Sequence, residues 1–239
     1  MFRTNNSKLF LFYKVGKNPR EWWGMMKTST DEGKTWSEAK ELPDGILGPI
    51  KNKPIELKDG TILCPSSVES PERWTVHIES TTDEGKTWEK VLVDETNPIK
   101  VIQPCILKHT SKKLQMLCRS TQNRIIQSWS FDAGISWSKF MWTNIPNPNS
   151  GIDAVTLSDG RFLLVYNPME AGEEWVNGRN KLNVAISKDG ISWDDIAILE
   201  DEKEGEFSYP AIIETKDNKV HITYTYNRLK IKHVVIEIL

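Results

Sequence analysis

The chain has 239 residues, of which 38% are hydrophobic and 27% charged, enough for a sizeable core in one or two compact domains. With 31 basic against 33 acidic residues the formal charge is −2, which argues against the basic excess that nucleic-acid binding needs. No apolar run approaches the roughly 20 residues of a membrane span, and the start, MFRTNNSKLFLFYKVG, lacks the pattern of a signal peptide. The default compartment is therefore the cytoplasm, with no membrane partner.

Ten tryptophans stand out, and four of them close a repeated phrase. In chain order the phrases are Ser29-Thr-Asp31-Glu-Gly33-Lys-Thr-Trp36, Thr81-Thr-Asp83-Glu-Gly85-Lys-Thr-Trp88, Ser130-Phe-Asp132-Ala-Gly134-Ile-Ser-Trp137 and the shorter Ser187-Lys-Asp189-Gly190-Ile-Ser-Trp193. Their spacing of about fifty residues is the length of one propeller blade. Each phrase suits a tight turn: Asp and the hydroxyl accept N–H groups, Gly takes positive φ, and Trp fills the space beneath. The four aspartates are accordingly structural. The Gly-Lys-Thr in two of them is no phosphate loop, because the required earlier glycine is missing.

Strand signals separated by short turns surround the phrases. PIEL-KDG-TILCPSS, PCIL-KHTSK-KLQMLCRS, DAVTL-SDG-RFLLVYN and PAII-ETKDN-KVHITYTY read as hairpins, and runs such as WTVHIESTT and KLNVAISK lead into the phrases. The predicted unit is a four-stranded antiparallel meander. Residues 1–45 supply the second to fourth strands of one blade, 46–97, 98–145 and 146–200 three full blades, and 201–239 three strands of another. Cys64, Cys105 and Cys118 are odd in number and lie within apolar runs, which indicates buried thiols. His77, His109, His221 and His233 are scattered, so neither a metal nor any other cofactor is expected.

In such a meander the innermost strand starts, and the second strand ends, at the same face. That filter selects Lys51, Lys53, Gln103, Asn149, Asp153 and Tyr209 at inner-strand starts, Arg119 at a strand end, and Glu69, Arg179, Arg228, Trp22 and Trp23 in the loops that follow. Converging Arg and Lys side chains suit a carboxylate. The tryptophans suit either a sugar face or packing between blades.

The four phrases match the Asp-box of the sialidase-like β-propellers, and the chain resembles the branch of predicted neuraminidases, or BNR-repeat exo-α-sialidase-like proteins. FYKVGKNPREWWGMMKTSTDEGKTW, LPDGILGPIKNKP, NPNSGIDAV and YTYNRLKIKHV carry that likeness. The resemblance implies an all-β propeller with its Asp-boxes opposite the site and a glycosidase acting on a terminal carboxylated sugar. It also implies that the chain is short at its N-terminus by more than one blade, or that the ring closes through a second copy. Arg119 in LQMLCRS and Arg179 in GRNKLNVAISKDG fall where the family places carboxylate-binding arginines. Tyr209 in EFSYPAII falls where it places its nucleophile, with Asp153, Glu69 or Gln103 to assist. Gln103 stands where the family has a glutamate, and an amide cannot take the phenolic proton. The alternative is a non-catalytic propeller that binds a glycan or a protein on the same face.

Overall fold

The computed structural model describes residues 1–238, and its regular structure is entirely strand. The first sheet takes β1 (Phe2–Arg3), β2 (Leu9–Val15), β3 (Trp23–Ser29) and β4 (Lys40–Glu41) in that order. The second takes β5 (Ile55–Glu56), β6 (Ile62–Glu69), β7 (Trp74–Thr81) and β8 (Glu89–Leu92). The third takes β9 (Val101–Lys108), β10 (Leu114–Ser120), β11 (Arg124–Ser130) and β12 (Met141–Pro146). The fourth takes β13 (Asp153–Thr156), β14 (Phe162–Tyr166), β15 (Lys181–Ser187) and β16 (Asp194–Asp201), and the fifth takes β17 (Phe207–Glu214), β18 (Lys219–Tyr226) and β19 (Lys230–Glu237). All pairings are antiparallel between sequence neighbours, so each sheet is a meander and the whole a β-propeller. The first sheet holds one strand more than expected, because Phe2–Arg3 pairs with Leu9–Phe10.

Middle strands such as LQMLCRS and FLLVY are buried along their whole length, so these sheets have two faces to cover and the core lies between sheets. Phe10, Met26, Leu42 and Ile46 meet Ile62 and Cys64 between the first two. Val76 and Ile78 meet Ile106, Met116 and Cys118 between the next two. Leu107 and Leu117 pack on Leu164 and Phe162, and Leu163 and Val184 pack on Ile212 and Tyr224. Cys64, Cys105 and Cys118 are buried free thiols within these layers. Among the described residues these clusters join consecutive sheets, and none joins the fifth to the first.

The four phrases form the turns between third and fourth strands. In the first, Gly33 N–H donates to Ser29 Oγ (2.9 Å), Ser29 Oγ donates to Asp31 Oδ1 (2.7 Å), and Thr35 N–H and Oγ1–H donate to the same carboxylate. Trp36 Nε1 donates to Gly33 O at 3.0 Å, and Trp88, Trp137 and Trp193 repeat that bond in their own turns. Gly33 sits at φ 85°, open to glycine without strain. Since strands alternate in direction, these turns lie on the face opposite the inner-strand starts.

The turn donors hold Asp31 and Asp83 down to about 2, chiefly through Thr35 and Thr87. A carboxylate depressed on folding adds stability that is present above its unfolded value near 4 and is lost as the pH falls towards 2. Melting temperatures recorded from pH 5 to 2 should therefore fall along a limb that Asp31→Asn with Asp83→Asn flattens. Carboxyl carbons titrating at the ordinary value would overturn that account.

Candidate functional site

Hydrogen bonding fixes the equivalence of the inner strands. Leu57, His109, Leu157 and Thr215 each donate N–H to the carbonyl across their hairpin, which aligns Lys51, Gln103, Gly151 and Tyr209 six positions earlier. Lys51, Gln103 and Tyr209 all adopt positive φ, at 66°, 54° and 52°. Non-glycine residues in that region cost of order 1–3 kcal/mol each and cluster where a site needs them. Here the backbone turn brings one side chain per sheet to the axis, and the fourth position is glycine. A Cβ on Gly151 would lie 3.2 Å from Lys51 Cε, 3.3 Å from Tyr209 Cδ1 and 3.5 Å from Gln103 Oε1. The missing side chain is what leaves room for the other three.

Two residues deeper, Lys53 and Asp153 occupy equivalent positions and form an ion pair at 2.9 Å. Asp153 also accepts N–H from Ala154 (2.9 Å) and from Ile212 in the next sheet (3.0 Å). Its carboxylate therefore ties the fourth sheet to the second and the fifth.

Arg119 ends the apolar second strand of its sheet and is 6% exposed; Arg179 precedes β15 and is 5% exposed. Both hang from Asn149: Arg119 Nε donates to its Oδ1 and Arg179 NH2 to its main-chain O, each at 3.0 Å. Arg119 NH1 also donates to Gln103 Oε1 at 3.3 Å, and Tyr209 lies near enough to favour the charged guanidinium. Burial lowers the Arg119 pKa, against the pull of Tyr209. Arg179 NH1 donates to Glu206 Oε1 at 3.0 Å, while its buried Nε has no protein partner.

Glu206 is the hub of the neighbouring cluster. Arg228 reaches it through Nε (2.7 Å) and NH2 (3.1 Å), and Ser208 Oγ through 2.9 Å. Burial pushes the carboxyl upward, but the donors Arg228, Ser208 and Arg179 outweigh it and hold Glu206 below its ordinary value. The exposed Trp175 ring lies 4.5 Å from the Arg228 guanidinium carbon and 5.0 Å from that of Arg179.

A cleft of about 690 Å³ opens at the axis and runs between the first and fifth sheets. Lys51, Lys53, Gln103, Asp153 and Tyr209 line it, with Glu69 and Trp22 at its rim. Trp23 lies outside it, 44% exposed beside Val15 on the outer face of the first sheet. Arg228 lies in the Glu206 cluster. The sequence places Asn149 among the polar residues at inner-strand starts, but gives no role to Glu206 or Trp175. The order Glu206-Phe-Ser-Tyr209 was a usable signal, because it puts an acid on the strand that carries the tyrosine.

Residues 1–222 match the family model described as the BNR repeat-like domain. The chain belongs to that family. The curated sialidase of Bacteroides fragilis (strain YCH46) is 22% identical to this BNR repeat-like domain over 274 residues, covering 98% of the chain and 48% of that protein. A protein of unknown function from Dyadobacter fermentans DSM 18053 superposes with TM-score 0.77 at 16% identity, covering 100% of this chain and 75% of its own. The intramolecular trans-sialidase of Ruminococcus gnavus, solved with oseltamivir carboxylate, gives TM-score 0.69 at 21% identity over 91% of this chain and 50% of its own. These likenesses establish a sialidase-like propeller, and this BNR repeat-like domain spans about half the length of the curated relative.

Proposed function

We propose that the axial cleft binds a terminal carboxylated sugar, with Arg119 and Arg179 holding the carboxylate and Tyr209 facing the reacting carbon. One observation carries the reading: two buried guanidinium groups from different blades hang from the single residue Asn149, and one of them is bonded to Gln103 and electrostatically coupled to Tyr209. Lys51, Lys53 and Trp22 line the cleft, while Arg119, Arg179 and Arg228 stand outside its lining, in the adjoining Asn149 and Glu206 clusters. A carboxylate suits paired guanidinium groups because each can offer two parallel N–H donors. The R. gnavus relative was solved with a ligand that its own description calls a carboxylate.

Of the groups available to assist Tyr209, Gln103 has an amide that cannot act as a base, and Asp153 is engaged by Lys53 and two backbone N–H groups. Glu69, which lines the cleft and attracts Arg119, is the remaining carboxylate. Gln103 favours a second reading, in which the propeller holds a glycan or a protein partner without turnover.

Turnover is the discriminating experiment. Release of a chromogenic leaving group from an N-acetylneuraminic acid glycoside and from a glucuronide should be slow, since missing general acid–base help is worth about 10²–10⁴-fold. Whatever rate exists should vanish in Tyr209→Phe, with affinity for the free sugar retained. Efficient hydrolysis that survives Tyr209→Phe would sink the role of Tyr209, and calorimetry without heat for either free sugar would sink the carboxylate reading.

A further inference from the structure

Lys51 is the one axial side chain whose chemistry the sugar reading does not use. It enters from the second sheet, and its Nζ donates to Ile152 O and Pro210 O, both at 2.5 Å, on the fourth and fifth sheets. Two of the four tetrahedral directions at nitrogen are thus committed to carbonyls and a third to Cε. The last is an N–H when the group is charged and a lone pair when it is neutral. Lys51 lines the cleft, and its Cε and Tyr209 Cδ1 lie within 3.3 Å of one point above Gly151.

Because two carbonyls already take two hydrogens, the neutral amine of this cleft-lining residue keeps both of them bonded and has its lone pair uncommitted. Burial favours that form. Burial lowers the Lys51 pKa to about 8; Asp153 and the Cys105 thiol pull it back up, while Lys53 and Arg119 push it further down. The neutral fraction is therefore substantial near pH 7.5, whereas an ordinary lysine there is about one part in a thousand neutral.

An amine beside a carboxylate-holding arginine is the pair that a 2-oxo acid requires. We propose that Lys51 is a covalent site of the cleft, where its amine condenses with the carbonyl of a 2-oxo acid whose carboxylate is held by Arg119. The carboxylate half of this inference rests on the reading of Arg119 above. The Nζ lone pair bonds to the carbonyl carbon while the C=O π pair moves to oxygen, giving a carbinolamine. The C–O bond then breaks as C=N forms, and both amine hydrogens depart with that oxygen as water. Open-chain forms of carboxylated sugars present the same two groups, carbonyl and carboxylate.

Trapping tests the site directly. The protein is incubated with pyruvate and cyanoborohydride at pH 7.5, which delivers hydride to the imine carbon, and tryptic peptides are weighed. Lys51 should be alkylated at least about ten-fold faster than exposed lysines such as Lys58 and Lys216, given the larger neutral fraction. Acetone, which lacks the carboxylate, should label it far less, and Lys51→Arg should remove the label. Uniform labelling of all lysines would overturn the reactive amine, and equal labelling by acetone would overturn the 2-oxo acid. Calorimetry with free N-acetylneuraminic acid separates the two readings. Lys51 labelling without sugar binding leaves the covalent site standing and the sugar reading fallen, and sugar binding with Lys51 unlabelled does the opposite.

Discussion

Glu206→Ala should lower folding stability by about 3–5 kcal/mol, the range for breaking a buried ion pair by removing one partner. Glu206 is 6% exposed and receives Arg179, Arg228 and Ser208. Removing it leaves Arg179 buried with a net positive charge and only the Asn149 carbonyl as a bonded partner. Arg228, whose pKa Glu206 raises, is half exposed and can turn to water, so most of the cost falls on Arg179. The measurement is a urea unfolding midpoint at constant slope. Glu206→Gln keeps an acceptor oxygen and should cost less. The carboxyl sits below its ordinary value, so its stabilisation is present above the unfolded value and is lost as pH falls through the folded one. The gap between wild type and Glu206→Ala should accordingly close in acid. A variant within 1 kcal/mol of wild type at pH 7 would mean that Arg179 has another counter-charge.

Arg119→Ala carries the second large effect. Truncating one partner of a buried, hydrogen-bonded charge pair costs about 2–5 kcal/mol, or roughly 30-fold to several thousand-fold in affinity. Affinity of the cleft for a carboxylated sugar, read by calorimetry, should fall by at least the lower figure. The same change removes the guanidinium that Gln103 accepts from and that stands beside Tyr209, so both side chains should gain mobility on the nanosecond scale. Folding must be checked alongside, because Asn149 Oδ1 loses its donor. Unchanged affinity in a folded Arg119→Ala protein would move the anion site to Lys51 and Lys53, which with Lys14 are the cations lining the cleft.

The blade repeat was readable from residues because each Asp-box turn is closed by side chains within eight positions of one another. Local bonds such as Gly33 to Ser29 and Trp36 to Gly33 need no distant partner, so their signature survives in the primary order. Strand direction then followed from the hairpins, and strand direction alone sends Lys51, Gln103, Arg119 and Tyr209 to one face. What each of them does there depends on neighbours one or more blades away. Asp153 looks like a free carboxylate in sequence, yet Lys53 from one sheet and Ile212 N–H from another absorb it. Trp22 and Trp23 are adjacent in the chain and were indistinguishable as sugar platforms. Trp22 stands just before β3 and Trp23 opens it, and only the packing of the first sheet decides that Trp22 is the one at the cleft.

The partners of Glu206 and Asn149 were unreadable for the same reason, since their bonds to Arg179 and Arg119 span 27 and 30 residues. A repeat encodes the blade because its bonds are short-range in sequence. The axial site belongs to the ring, where side chains from four blades meet and where burial, charge pairing and the lack of a side chain at Gly151 set which groups face the cleft.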